Sequence, residues 1–188
     1  MFKRVLLALA ACITGASAFA QPMPEGFFCC NMRADSSGWI SDSNYQEPGK
    51  RMIAVGTPAK VTGFGRYRVI LDATGTKAWL GNDYSRDIEL PKFAERYIVP
   101  EDPKAKIARF PPKVQQAIMA AKLSKGMTKE QVLMAVGYPI SSENPNLAAP
   151  MWRYWLTSFA PFTVMWDAQG RVKDIETDGQ TRLLVVQD

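Results

Sequence analysis

The strongest hydrophobic pattern in the chain lies between two helix-boundary signals in its C-terminal half. Thr128 stands three residues before Gln131, the spacing at which a threonine hydroxyl and a glutamine side chain cap one helix end. Gly137 permits the left-handed backbone that closes a helix, and Pro139 prevents its continuation. The apolar residues between these signals lie on one helical face. The pattern therefore predicts a short helix that starts after Thr128 and ends at Gly137.

A second helix is predicted just before it. Pro111-Pro112 can open a helix, because a proline in the first turn has no hydrogen bond to lose. Apolar residues follow at positions i, i+3, i+4 and i+7, which are Val114, Ala117, Ile118 and Ala121. The helix is expected to end at Leu123. Two helices joined by a short turn can bind DNA, but the second helix here is not basic, which argues against a nucleic-acid partner.

Alternating aromatic residues predict a β-sheet after the two helices. Met151–Leu156 and Phe162–Trp166 have the period-two pattern of strands, and Asp167–Gly170 has the composition of a hairpin turn. Arg171–Thr177 and Leu183–Val186 are predicted to be the returning strands. Two helices followed by three or four antiparallel strands indicate an α+β layer.

The alternation divides the predicted sheet into two faces. One face is apolar and is expected to cover the helices: Trp152, Tyr154, Leu156, Phe162, Val164 and Trp166. The other face carries Arg153, Trp155, Thr163 and Met165. An aromatic patch on an open sheet often marks a partner surface, so Arg153, Trp155 and Met165 are candidates for that contact. The alternative is that the N-terminal half of the chain packs on this face.

Short apolar stretches separated by turn residues predict a β-rich domain over residues 50–108. The predicted strands are Arg51–Val55, Ala59–Phe64, Arg66–Leu71 and Lys77–Leu80. Phe93 and Tyr97–Val99 predict one more strand or a helical turn. Strands of this length and spacing indicate a small meander or barrel, and the pattern resembles a bacterial SH3-like barrel.

The other domain boundaries follow from composition. Residues 21–49 are rich in turn-forming residues and are predicted to be an irregular lead-in, with a short strand at Trp39-Ile40. Pro100–Pro103 is predicted to be a linker. The helices and the aromatic strands then form a second domain over residues 109–188.

The first twenty residues have the composition of a secretory signal peptide. Two basic residues precede an apolar stretch, and an A-x-A cleavage sequence ends at Ala20. Cleavage there would leave a chain that begins at Gln21. The alternative is a lipoprotein signal, because the four residues that end at Cys12 match the lipobox pattern and would place a lipid on that cysteine. Either signal predicts export, to the periplasm or to the outer membrane.

Composition excludes several kinds of chemistry. The formal net charge is +5, and no basic run indicates a nucleic-acid partner. The chain contains no histidine, so it lacks the usual general base and the commonest metal ligand. No catalytic motif is found. The sequence therefore predicts neither an enzyme activity nor a metal or cofactor.

Two adjacent cysteines, Cys29 and Cys30, remain after cleavage at Ala20. Exported proteins usually pair their cysteines, although a bridge between neighbours brings the Cα atoms closer than an ordinary disulfide does. The pair is either two small buried apolar side chains, a redox-labile bridge, or two bonds to another chain. A thiol enzyme would need a neighbouring base or a C-x-x-C motif, and neither is present.

A polar loop with one aromatic residue follows the predicted β-rich strands. Asp83, Tyr84 and Arg86 form a candidate ligand loop, suited to a small ligand or a peptide. The alternative is structural, because Asn-Asp-x-Ser is a sequence that bonds its own backbone in a turn, and Arg86 would then pair with an acid.

The C-terminal part resembles the outer-membrane assembly factor E family (BamE-like, also called SmpA or OmlA). The resemblance covers less than half of the chain and rests on Lys125–Val132, Gly137–Pro139, Trp152–Trp155, Val164–Asp167 and Gly170–Val172. It implies a non-enzymatic interaction domain that assists the insertion of β-barrel proteins at the outer membrane. Members of the family are normally lipoproteins and mostly lack a β-rich half, so this chain departs from the pattern in both respects.

Three functions are therefore weighed. The first is an exported protein, free in the periplasm or associated with the outer membrane, that binds another envelope protein through Arg153, Trp155 and Met165. The second is a module in which the SH3-like half binds peptide or cell-wall stems through Tyr84 and Arg86. The third is an enzyme or redox protein that uses Cys29 and Cys30, and the sequence lacks the neighbouring base or C-x-x-C motif that it would need.

Overall fold

The computed structural model describes residues 22–187, which form an α+β protein with two β-sheets and five helices. The α+β class is as predicted. The expected signal peptide, with its cleavage site at Ala20 and the lipobox at Cys12, lies outside the described residues.

The first sheet contains eight strands: β1 (Glu25–Phe28), β2 (Met32–Ala34), β3 (Trp39–Ser41), β4 (Arg51–Ile53), β5 (Pro58–Gly65), β6 (Arg68–Ala73), β7 (Thr76–Gly81) and β8 (Ile98–Val99). Their spatial order is β4-β2-β3-β7-β6-β5-β1-β8. Only β3 and β7 pair in parallel. The four strands predicted between Arg51 and Leu80 are therefore present, and the short strand at Trp39-Ile40 is confirmed.

The prediction of an irregular lead-in over residues 21–49 is wrong, because the first three strands lie within it. The isolated apolar residues of this segment, Phe28, Met32 and Ile40, are fully buried in the core of the first sheet. Some polar residues of the same segment are buried too, since Asn31 and Asp42 are each 1% exposed. These polar residues break the hydrophobic pattern without marking a solvent-exposed loop.

A short helix closes the core of the first sheet. Helix α1 (Leu90–Tyr97) buries Phe93 and Tyr97, whose ring centroids are 5.0 Å apart. Pro91 lies in its first turn, where no hydrogen bond is lost. The sequence prediction of a strand or helical turn in this region is thus resolved as a helix followed directly by β8.

The second sheet packs against the helices of the C-terminal half. It contains β9 (Met151–Thr157), β10 (Ala160–Trp166) and β11 (Val172–Glu176) in the antiparallel order β11-β10-β9. The helices of this half are α2 (Pro103–Ile107), α3 (Pro112–Met119), α4 (Lys129–Val136) and α5 (Gly179–Val185). All six residues of the predicted inner face are buried in one core with α3 and α4: Trp152, Tyr154, Leu156, Phe162, Val164 and Trp166.

Helix α4 begins and ends as its sequence predicts. The backbone N–H of Gln131 donates to the Thr128 hydroxyl at 3.3 Å, and the Thr128 N–H donates to the Gln131 side chain at 2.9 Å. This reciprocal pair is a capping box. Gly137 ends the helix with φ +86° and donates its N–H to the Leu133 carbonyl.

Helix α3 ends at Met119 and does not continue to Leu123 as expected. Ala121 adopts a positive φ of 52°, which stops the helix. Leu123 is instead paired with the C-terminal segment, since its N–H donates to the Val185 carbonyl and its carbonyl accepts from Gln187, both at 2.8 Å.

The predicted fourth strand at Leu183–Val186 is wrong, because these residues belong mostly to helix α5. Asp178 caps this helix by accepting hydrogen bonds from the backbone N–H groups of Gln180 and Thr181 at 2.9 and 3.0 Å. Leu183 and Leu184 are exposed on the helix surface. A short apolar run without alternation does not distinguish a strand from a helix, and the cap decides this case.

The two halves of the molecule meet at a buried polar junction built around Asn31. Its side-chain amide donates to the carbonyls of Ile118 at 2.6 Å and Ala135 at 3.1 Å, both in the C-terminal half. Its side-chain oxygen accepts from the Val55 N–H at 2.9 Å, and its own N–H donates to the Met134 carbonyl at 3.0 Å. One side chain therefore satisfies buried backbone groups of both halves.

Asn44 and Gly137 complete this junction. The Asn44 amide donates to the carbonyls of Asn31 at 3.0 Å and Val136 at 2.9 Å. A Cβ at position 137 would lie 3.3 Å from the Met32 sulfur, and the positive φ already favours glycine. Glycine thus serves both as the end of α4 and as a point of close approach to the first sheet.

Candidate functional site

The three residues predicted to form a partner surface lie on one face of the second sheet. Thr163 is opposite Arg153 in the β9–β10 ladder, and Met165 is opposite Met151. Arg153 and Met151 are exposed, while Trp155, Thr163 and Met165 are half-buried. A covering layer would bury these side chains, so the part of the N-terminal half that the structure describes does not enclose this face. We call this surface the Trp155 face, made of Met151, Arg153, Trp155, Thr163 and Met165.

Arg153 and Trp155 are held together on the Trp155 face. The guanidinium of Arg153 lies 4.9 Å from the centroid of the Trp155 ring, a cation–π arrangement. A single carboxylate oxygen of Glu143 accepts from the Trp155 indole N–H at 3.0 Å and lies 3.3 Å from the Arg153 Nε. Exposed ion pairs add little to the free energy of unfolding. The effect of this arrangement is to fix the orientation of two large side chains at the surface.

Asn144 positions the loop that supplies Glu143. Its side-chain oxygen accepts from the Arg153 N–H at 2.8 Å, and its amide donates to the Arg153 carbonyl at 3.0 Å. The outer edge of β9 is thereby partly closed, and farther along the Leu156 carbonyl accepts from the Gln46 N–H at 2.7 Å. Covering an edge in this way protects it from pairing with another strand. The face of the sheet, not its edge, is left available.

The three residues predicted to form a ligand loop line one groove, which we call the Tyr84 groove. It has a volume of about 530 Å³, and its walls are Asp83, Tyr84, Arg86, Asp87, Ser141, Ser142 and Pro145. Tyr84 is 44% exposed. The Ser142 N–H donates to the Tyr84 carbonyl at 3.1 Å, so backbone contacts join the two walls.

Arg86 does not form the ion pair that the structural alternative expected. Its guanidinium lies 4.4 Å from the centroid of the Tyr67 ring. Among the described residues, none of the ion pairs includes Arg86. The carboxylate of Asp83 accepts from the Ser41 hydroxyl at 3.0 Å, and that of Asp87 accepts from the Ser141 hydroxyl. The carboxylates of Asp83 and Asp87 therefore form hydrogen bonds within the fold, while the Arg86 guanidinium is stacked on the Tyr67 ring.

One loop connects the two surfaces. Ser141, Ser142 and Pro145 line the Tyr84 groove, whereas Glu143 and Asn144 contact Arg153 of the Trp155 face. The sequence pattern did not indicate this connection, because the hydrogen bonds between the loop and the groove join residues 54 or more positions apart along the chain, which only the fold brings together.

Asp42 holds the backbone of the loop that lines the Tyr84 groove. The sequence pattern did not indicate this residue. It is 1% exposed and accepts from the N–H groups of Asp83 at 3.3 Å and Tyr84 at 3.1 Å. Burial raises the pKa of Asp42 to about 6, and hydrogen bonds from Ser85 and from the Tyr84 N–H oppose this rise. A short Ser-Asp-Ser-Asn stretch resembles an exposed turn, so only its burial in the structure reveals its role.

The adjacent cysteines are bonded to each other. Their Cα atoms are 3.8 Å apart, the separation of any two neighbours across a trans peptide. Cys30 is fully buried in the first core, while Cys29 is only half-buried. This bond contradicts two of the interpretations drawn from the sequence: two free buried thiols, and bonds to another chain. Redox activity of the bridge stays a prediction.

Two further properties concern residues 22–187. No set of three or more His, Cys, Asp or Glu side chains among them is arranged to hold a metal ion. In the same part of the chain, every helix is too short or too polar to cross a bilayer.

Comparison of the chain with protein-family models, with curated proteins and with solved structures found no match. Function is therefore argued from the geometry of the surfaces themselves, since a fold alone does not determine what a protein does.

Proposed function

We propose that this chain is an exported, non-enzymatic protein of the cell envelope that binds another envelope protein through the Trp155 face. The observation that carries the proposal is the fixed stack of Arg153 on Trp155, on a sheet face that no other layer of residues 22–187 encloses. Tryptophan and arginine are enriched among the residues that dominate the free energy of protein association. Because Glu143 already orients both side chains, little side-chain entropy would be lost on binding.

The proposed partner follows from the family resemblance. Lys125–Val132 carries that resemblance and contains the capped start of α4, and Trp152–Trp155 lies in the strand that presents the Trp155 face. The outer-membrane assembly factor E family assists the insertion of β-barrel proteins. We therefore propose an outer-membrane or periplasmic protein as the partner, and an SH3-like character for the β-rich half.

Site-specific photo-crosslinking in intact cells tests the proposed surface. A benzophenone amino acid at Met165 should form one discrete protein adduct, because this side chain lies on the Trp155 face. The same probe at Met119, which is 70% exposed on α3, serves as the control and should form no such adduct. Trp155→Ala should reduce the Met165 adduct at least tenfold, a loss typical of an interface hot spot of roughly 2 kcal/mol.

A matched variant separates binding from folding. Phe159 is an exposed aromatic residue in the turn between β9 and β10, outside the Trp155 face. Phe159→Ala should leave the adduct unchanged, and Trp155→Ala should lower the free energy of unfolding by only about 1 kcal/mol, because its side chain is half-exposed. Loss of the adduct in Phe159→Ala, or a large loss of stability in Trp155→Ala, would contradict the proposal.

Export is tested by intact mass and cell fractionation. A mature species that begins at Gln21 in the periplasmic fraction supports simple secretion. An acylated species that begins at Cys12 in the outer membrane supports the lipoprotein alternative and the role of the resembled family. A cytoplasmic protein that retains Met1 would overturn the envelope assignment.

A second candidate function is the binding of peptide or cell-wall stems in the Tyr84 groove. It is favoured by the exposed Tyr84 ring and the stacked Arg86 within one groove of about 530 Å³. Sedimentation with purified cell wall should then be lost in Tyr84→Ala and in Arg86→Gln, and kept in Trp155→Ala. The opposite pattern, with crosslinking lost only in Trp155→Ala, supports the first function.

A further inference from the structure

A separate cleft lies between the two halves, where α2 and α4 approach the disulfide. It has a volume of about 310 Å³ and shares no lining residue with the Trp155 face or the Tyr84 groove. This volume is at the lower end of the range for small-molecule sites. We call it the Cys29 cleft.

Apolar side chains form most of its walls. Pro100 and Pro103 stand on one side, and Leu133 and Met134 of α4 stand on the other. Leu133 is only half-buried although it packs against the core of the C-terminal half. Part of an apolar wall is thus open to solvent, and covering it would be favourable.

One cysteine of the disulfide is part of the cleft wall. The Cys29 side chain lines the cleft and is bonded to Cys30, which is fully buried. The Cys29 N–H donates to the Tyr97 carbonyl at 2.8 Å, so the backbone is held as well. Because both ends of the short ring are anchored, Cys29 cannot rotate away from the cleft. Sulfur atoms make favourable contacts with aromatic rings, and Met134 supplies a second one.

The aromatic wall of the cleft is also fixed. The ring of Tyr138 lines the cleft and makes an edge contact with Tyr97 at 5.6 Å between centroids. The Arg96 guanidinium lies 5.5 Å from the Tyr138 centroid. A ring held between these two neighbours is a preorganised surface, which lowers the cost of binding.

Three carboxylates line the cleft, those of Glu101, Asp102 and Glu130, against one lining cation, Lys106. Arg96 is a second nearby cation, but it contacts Tyr138 and is not among the lining residues. Lys106 pairs with Glu130, which leaves two carboxylates. Asp102 accepts from the Lys104 N–H at 2.9 Å as the cap of α2. Among the described residues Glu101 takes part in no ion pair.

We propose that the Cys29 cleft binds a ligand that presents one aromatic ring beside a cationic group. The ring packs on the Cys29 sulfur between Pro103 and Leu133, and the cation lies near Glu101 and Asp102. Apolar walls and sulfur select the ring, while the carboxylates select the positive charge. This site does not depend on the function proposed for the Trp155 face.

Titration with three indole probes tests the proposal on the oxidised protein, with binding followed by amide chemical shifts. Tryptamine carries the ring and a cation, indole carries the ring alone, and indole-3-propionate carries the ring and an anion. Tryptamine should bind with a Kd of about 1 mM, the affinity usual for a ligand of this size, and shift the amides of Cys29, Leu133 and Met134. Indole-3-propionate should bind at least tenfold more weakly.

Two variants of equal charge change show whether the carboxylates act locally. Glu101→Lys should weaken tryptamine at least fivefold and leave indole unchanged. Glu95→Lys, at an exposed position on α1 outside the cleft, is the matched control and should affect neither probe. Equal effects of both variants, or equal affinity for tryptamine and indole-3-propionate, would overturn the charge selection.

Two further arms test the walls and the source of the ligand. Leu133→Asp at this half-exposed position should abolish binding of all three probes while the amide spectrum elsewhere stays folded. The dipeptide acetyl-Trp-Lys-amide tests whether the ring and cation can come from a partner's chain, and tighter binding than tryptamine would assign the cleft to a peptide segment. Absence of shifts at the cleft with both cationic probes refutes the proposal.

Discussion

The core of the C-terminal half and the junction between the halves are stabilised in opposite ways. In the core, the ring centroids of Trp152 and Trp166 are 4.7 Å apart, and almost all the packed side chains are apolar. The junction rests on Asn31, whose polar atoms satisfy carbonyls and an N–H on separate elements. Apolar packing tolerates small changes in shape, whereas a buried polar group without its partner loses its full solvation. The junction is therefore the part of the molecule that is more sensitive to single substitutions.

The largest effect is expected at Asn31. Asn31→Ala leaves the Ala135 carbonyl and the Val55 N–H buried without partners, and the Ile118 carbonyl keeps only its backbone bonds, such as that from the Ala121 N–H. The free energy of unfolding should therefore fall by about 4 kcal/mol. Urea unfolding measures this loss. Asn146→Ala removes one exposed hydrogen bond and should cost less than about 1 kcal/mol. Similar losses in the two variants would remove the distinction between the junction and the surface.

Two glycines distinguish a position at the junction from one that faces open space. Gly137 and Gly126 have φ values of +86° and +84°, but only Gly137 has neighbours within 4 Å of an added Cβ. Gly137→Ala should cost about 3 kcal/mol, from backbone strain and from contact with Met32. Gly126→Ala, where the space is open, should cost about 1 kcal/mol. Thermal unfolding of both variants measures the difference. Equal losses of unfolding free energy would show that the contact with Met32 at the junction does not contribute to stability.

Asp42 adds a dependence on pH near the junction. Its pKa is raised from 3.8 to about 6, so folding binds a proton between these values, and the cost of the buried charge is fully present above pH 6. This cost is relieved as the pH falls toward 3.8. From about pH 7.5 to about pH 4.5, the wild-type protein should gain about 2 kcal/mol of unfolding free energy relative to Asp42→Asn. Parallel curves for the two proteins across this range would show that Asp42 titrates normally.

The smallest effect is expected at the cap of α4. Thr128→Ala removes one half of the capping box and should cost about 1 kcal/mol. Thr128→Ser keeps the hydroxyl and should restore most of this stability. A loss in Thr128→Ala as large as that in Asn31→Ala would mean that local helix signals matter as much as the junction does.

The sequence predicts those parts of the fold that depend on local or periodic patterns. The faces of β9 and β10 follow from alternation, and the ends of α4 follow from Thr128 and Gly137. The residues of the lead-in could not be interpreted in this way. A buried asparagine such as Asn31 has the same local signature as one in a turn, and its partners lie far away along the chain.

The candidate sites were predictable to a similar extent. Alternation alone placed Arg153, Trp155 and Met165 on one face, because a strand presents every second residue to the same side. The link between this face and the Tyr84 groove through Glu143 depends on how a loop docks, which no local pattern encodes. The Cys29 cleft likewise forms only when α2 and α4 meet the segment that follows β1.

The position of Asn31 in the chain has a consequence for the order of folding. Its partners at Ile118 and Ala135 are 87 and 104 residues further on, so the first sheet cannot complete its buried hydrogen bonds from its own residues. Contacts over such separations require large loops to close and slow the folding of a domain. While the chain emerges from a ribosome, these buried hydrogen bonds of the N-terminal half cannot form until α4 is released. A chaperone that holds this half during that interval would act before the junction closes.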